Sequence, residues 1–177
     1  MIEIVRQALR YYINNKKAPA LDSLDIDDTS LLEKKGSVFV TLYMWWEVHG
    51  SAGNIDPIED NIIWELVESS ISAVANDDRF DMLSLEDLEK VKIRIDVIST
   101  RVKLVNEKEL ENLEPKKLGV AVIKKSYDRL AVILPNISST LHFWKDFPPY
   151  LSSKLWETFV FSDYIVFKLE TTQTSDF

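Results

Sequence analysis

The chain has 177 residues, enough for one domain with a sizeable core, and its 46% hydrophobic and 11% aromatic content exclude a mostly disordered polymer. With no cysteine it forms no disulfide and performs no thiolate chemistry. Its net charge of -8 includes a stretch from Gly36 to Asp78 without a single Lys or Arg, which disfavours phosphate-rich partners such as nucleic acid.

No apolar run reaches the roughly 18 residues of a membrane span. Met1-Ile2-Glu3-Ile4-Val5-Arg6 carries none of the three segments of a signal peptide. A cytoplasmic location with no membrane partner is the expectation. The lysine pairs at Lys16-Lys17, Lys34-Lys35, Lys116-Lys117 and Lys124-Lys125 sit beside element ends and read as solvated surface.

Residues 1–15 place Ile2, Val5, Ala8, Leu9, Tyr12 and Ile13 on one helical face. An acidic loop follows. Ser37 to Trp46 is β-branched and aromatic, which predicts a buried strand that buries at least one of Trp45 and Trp46. Half of the chain's four glycines then fall within His49-Gly50-Ser51-Ala52-Gly53, read as a loop with positive φ or a close backbone approach.

A helix start is expected at Asp56-Pro57-Ile58-Glu59 or at Asp60, with Ile63, Leu66, Val67, Ile71 and Val74 at helical spacing to near Asn76. Ser84 opens a short turn. Lys92 to Ser99 alternates Ile93, Ile95 and Val97 against Lys92, Arg94 and Asp96, a strand with one wet face. A second short strand over Val102–Val105 and a turn over Glu107–Leu113 come next. Leu118–Lys124 and Arg129–Pro135 form a hairpin. After an irregular Pro148-Pro149 stretch, a short helix over Tyr150–Thr158 and a strand through Ile165, Phe167 and Leu169 complete the chain. Residues 172–177 read as a flexible tail beyond a single domain over 1–171. Helices and strands do not alternate as βαβ units, so the class is α+β with a mainly antiparallel sheet and flanking helices.

Two places concentrate reactive side chains. In the first, Ser51 with Gly53 approaches a nucleophile-elbow pattern, with His142 as a conceivable base, but His49 stands where the pattern needs glycine. Glu47 and His49 are two apart on an expected strand and so on one side of it, which would suit an acid/base pair or one corner of a metal site. The bland alternatives are a polar turn and a solvated polar pair. In the second place, Asp77-Asp78-Arg79-Phe80 either lines a cleft beside the glycines or closes a helix end structurally. No catalytic residue is assigned, and nothing in the residues calls for a metal or cofactor. Trp45-Trp46, if exposed, would make an anchor for a partner.

Phe39-Val40-Thr41-Leu42, Gly50-Ser51-Ala52-Gly53, Asn76 to Phe80, Leu85-Glu86-Asp87-Leu88, Ile93 to Val97 and Leu130 to Pro135 occur in an order that resembles the AMMECR1 domain family. The resemblance covers roughly residues 37–140 and implies an α+β fold of a main lobe and a smaller one. The family has no established activity. Its genes keep company with those of a Memo-like and a radical-SAM protein, and a link to RNA has been suggested. The family's hallmark, Leu-Arg-Gly-Cys-Ile-Gly, falls on Val48, His49, Gly50, Ser51, Ala52 and Gly53. Here an imidazole stands for the guanidinium and a hydroxyl for the thiol.

The expected function is a non-catalytic accessory or interaction protein that holds a protein or small ligand in a cleft formed by His49, Gly50, Ser51, Gly53, Asp78 and Arg79. The alternatives are an enzyme with His49 as acid/base, assisted by Ser51 or Glu47, and an RNA-associated protein.

Overall fold

A computed structural model describes residues 1–77 and 81–177. The chain divides into two compact units, one of Met1–Val97 with Gln173–Phe177 and the other of Ile98–Thr172.

In the first unit, helix α1 (Ile2–Asn15) buries Ile4, Val5, Ala8 and Leu9. It stops where Lys16 turns left-handed and donates its N–H to the Tyr12 carbonyl at 2.8 Å. Strands β1 (Val38–Met44) and β2 (Glu47–Gly53) form an antiparallel hairpin. The glycine run is therefore strand rather than loop. Helix α2 (Ile62–Ala75) starts later than the acids at 56 and 60 suggest, with the Asn61 side chain accepting from Trp64 N–H at 3.1 Å. The cause is Glu65, whose buried carboxylate accepts the N–H groups of Ile58 and Glu59 and holds that segment as a turn.

Val38, Val40 and Leu42 of β1 pack with Ile63, Leu66 and Val67 of α2, the buried face of α1, and Ile93 and Ile95 of strand β3 (Lys92–Lys103). Each such side chain contributes about 1.5–3 kcal/mol by burial. A one-turn helix, α3 (Leu85–Leu88), is fixed by a reciprocal Ser84–Asp87 cap and seats Leu88 in the same core.

In the second unit, β4 (Gly119–Lys124) and β5 (Leu130–Ile133) make the expected hairpin. Helix α4 (Phe147–Leu155) buries Phe147, Leu151 and Leu155 against Val120, Val122, Ile133 and Val166. Pro148 and Pro149 occupy its first turn, where a missing N–H costs nothing, so the helix begins before them rather than after. Of the aromatic cluster there, Phe147 is core, Trp144 packs against it, and His142 and Phe143 are exposed.

The strand order is β2-β1-β3-β6-β4-β5, with β6 spanning Tyr164–Ser175. The registers of β1 with β2 and β3, and of β4 with β5 and β6, are antiparallel. Strands β3 and β6 are each twelve residues long and pass from one unit into the other. The two short strands expected over 92–105 are thus one. The end of the chain is paired rather than frayed: Asp176 N–H donates to Ile93 O at 3.2 Å, and its carboxylate accepts Ile93 N–H at 2.8 Å and the Arg6 guanidinium.

Candidate functional site

Among the described residues, strand β2 lies at the end of the strand order, with only β1 beside it. Its glycines are explained by contact, since no glycine has positive φ. A Cβ at Gly50 would stand 2.2 Å from the Ala73 carbonyl oxygen of α2, and one at Gly53 would stand 2.3 Å from Val38 O and 2.6 Å from the Phe39 ring. At Gly50 the helix closes on the strand, and at Gly53 strand β1 closes on β2, where a side chain is missing.

The hairpin register slips between Leu42 and Tyr43: Leu42 faces Gly50 while Tyr43 faces Val48, leaving His49 as the extra residue of a bulge. Glu47 consequently sits opposite Met44, and Ser51 opposite Thr41. Because Thr41 and Met44 point to opposite faces, so do Ser51 and Glu47, and simple alternation from Glu47 through His49 to Ser51 fails. Glu47 is exposed and His49 half-buried. The carboxyl of Asp87 in α3 is held below its ordinary range first by the Ser84 hydroxyl and N–H, then by Lys90 and His49.

Ser51 is not a nucleophile elbow, since it lies within a strand. Its hydroxyl is 2.9 Å from the Thr41 hydroxyl, and its outward N–H donates to the Asp77 carboxylate at 3.1 Å. Asp77 follows α2, so this bond joins the glycine stretch to the segment behind the helix and covers an edge donor of the sheet. Asp78, Arg79 and Phe80 lie outside the described residues.

The face of β1 that carries Thr41 continues onto β3, where Arg94 stands in register with Thr41. Sequence alternation made Arg94 and Asp96 a wet face; the structure instead leaves them 3% and 0% exposed. They survive burial as a fork, with Arg94 Nε 2.6 Å and Nη2 2.9 Å from the two Asp96 oxygens. Burial alone would push the guanidinium down, but the hydrogen bond and charge of Asp96, with Tyr43 adding, hold it above its ordinary value. Ser51, Thr41, Arg94 and Asp96 therefore form a polar row over three strands. Only the i, i+2 opposite charges of Arg94 and Asp96 could have signalled it.

Elsewhere in this unit a cavity of about 300 Å³ lies along α1, lined by Gln7, Arg10, Tyr11, Asn14 and Asn15 among others. Among the described residues, no group of three or more His, Asp or Glu side chains is placed to hold a metal ion, and no helix is long and apolar enough to cross a membrane.

The chain is 28% identical over 137 residues to a protein of Clostridium acetobutylicum, covering 77% of this chain but 28% of that one. It is 29% identical over 108 residues to a protein of Thermotoga maritima, covering 60% and 59%. The chain thus spans between about a quarter and three fifths of these relatives. An uncharacterized protein from Pyrococcus horikoshii has a crystal structure that matches with a TM-score of 0.83 over 97% of this chain and 87% of that one, at 18% identity, which shows a shared fold. The AMMECR1 family profile matches residues 2–154, and the chain belongs to the AMMECR1 family.

Proposed function

We propose that this protein is a non-catalytic accessory module that holds a protein partner or small ligand through the His49–Gly53 stretch of β2 and the segment after α2. The observation that carries this reading is the bonding of Ser51. At the position where the family hallmark has cysteine, the hydroxyl is engaged with Thr41 and the N–H with Asp77. Both are bonds of a scaffold, and a serine without an adjacent base is a poor nucleophile. The retained glycines serve packing, Gly50 that of α2 on β2 and Gly53 that of β1 against β2. A Memo-like or radical-SAM protein, which the family resemblance brings as a gene neighbour, is the first partner to examine.

Calorimetric titration of this protein with a Memo-like protein tests the reading. Binding is expected, with His49→Ala weakening it about tenfold while changing stability by no more than about 0.5 kcal/mol. Turnover of a small molecule that His49→Ala abolishes would replace this reading with an enzyme whose acid/base is His49.

A further inference from the structure

The two residues that join β1 to β2 are Trp45 and Trp46, with φ of 55° and 69°. A two-residue hairpin turn with both central φ positive favours Asn-Gly, because a Cβ crowds the backbone there, which glycine avoids and the short polar side chain of asparagine offsets. Here both positions carry the largest apolar side chain, and they are 80% and 78% exposed. Folding alone gives no reason for this choice. The tip is also braced: Phe177 meets Trp46 edge-on at 6.0 Å and Tyr43 at 5.4 Å between ring centres, and Asp176 beside it is fastened to Arg6 and Ile93. A strained, exposed and supported aromatic pair matches the anchors of protein interfaces, where tryptophan is enriched.

Resting on the interaction reading above, we infer that Trp45 and Trp46 insert into an apolar pocket of a separate folded protein whose surface around that pocket is basic. Charge selects this occupant. The segment that contains the tip has no Lys or Arg from Gly36 to Asp78, and Glu47 is exposed next to Trp46. The cation nearest in register, Lys92 opposite Tyr43, is engaged with the Asp176 carbonyl at 3.3 Å. A second copy, at -8, meets like charge, and so does an anionic membrane.

The test places the photo-crosslinker p-benzoylphenylalanine, in living cells, in place of Trp45, Trp46, Asp56 or the exposed Trp156 of the second unit. The captured protein is identified, purified and titrated with the wild type and with the double variant Trp45→Asn/Trp46→Gly. The expected result is a discrete protein adduct from positions 45 and 46 and not from 156, crosslinked within a Lys- and Arg-rich patch. The double variant should bind at least about 30-fold more weakly while melting at a higher temperature, which separates lost binding from lost folding. Adducts between two copies, adducts to lipid, or none at the tip would overturn the inference. Capture from position 56 alone would overturn it while leaving the interaction reading standing.

Discussion

Gly50 illustrates how one absent carbon sets local geometry. With a Cβ placed 2.2 Å from the Ala73 carbonyl, Gly50→Ala must push α2 off β2 or distort the strand. The expected cost is about 2–3 kcal/mol, near the top of the overpacking range because the obstacle is backbone rather than a movable side chain. Urea or guanidinium unfolding measures it, and an unchanged midpoint would mean the helix yields freely. The sequence announces that these glycines matter. For Gly50 it leaves open a turn or a contact, because that depends on a helix residue more than twenty positions later. Arg94 and Asp96 teach a related lesson. Alternation correctly gives them one face, but their burial follows from what lies across that face, which a local pattern does not contain.

Among elements, the end of the chain is held within the first unit by Asp176. Its two carboxylate oxygens accept the Ile93 N–H and the Arg6 guanidinium, while Arg6 also donates to Leu88 O and Val91 O at 3.0 Å each. Both charged side chains are mostly buried, so Asp176→Ala should cost about 2 kcal/mol and speed amide hydrogen exchange at Ile93 and Ser175. Exchange unchanged at both positions would show that strand pairing alone holds the end. The β1–β2 turn carries the opposite balance. Relief of left-handed strain at Trp45 and Trp46 should make the Asn-Gly turn about 1–2 kcal/mol more stable than the native one. The native tip thus gives up stability that its neighbours do not need. Nothing in the run Leu42 to Trp46 marks the turn, since the usual turn residues are missing, which is why the strand reads straight through it.

Over the whole molecule, pH acts through carboxylates tied to local donors. Asp28 and Asp128 are lowered by the hydroxyls of Ser30 and Ser126, Asp146 by the N–H groups of Phe143 and His142, and Glu157 by Lys124 and then Tyr164. A lowered folded-state value means the unfolded chain takes up protons first. These groups therefore stabilise above the ordinary carboxylate range, and the contribution is lost as pH falls below about 4 through the depressed values. Glu68, raised by burial and by Glu59, works the other way, since its protonation relieves the folded state. At the alkaline end, Tyr164 is pushed up to about 12 by burial and by Glu157, so its contribution is present below pH 10 and fades as pH rises through about 12. Denaturation midpoints measured across pH should fall at both the acid and the alkaline end. Asp146→Asn should flatten the acid limb, and a limb of unchanged slope would remove that carboxylate from the account.

Local chemistry written in the chain determined the α+β class, α1, the body and end of α2, the Ser84 cap and the β4–β5 hairpin, because each rests on short-range periodicity, caps and turn residues. The hallmark resemblance likewise found the family. Tertiary structure alone decided that the glycines are a strand under a helix, that a bulge at His49 sends Glu47 and Ser51 to opposite faces, that Arg94 and Asp96 are buried, and that two tryptophans stand in solvent. Each of those outcomes depends on register and on which surfaces meet, and both are settled by partners distant in sequence.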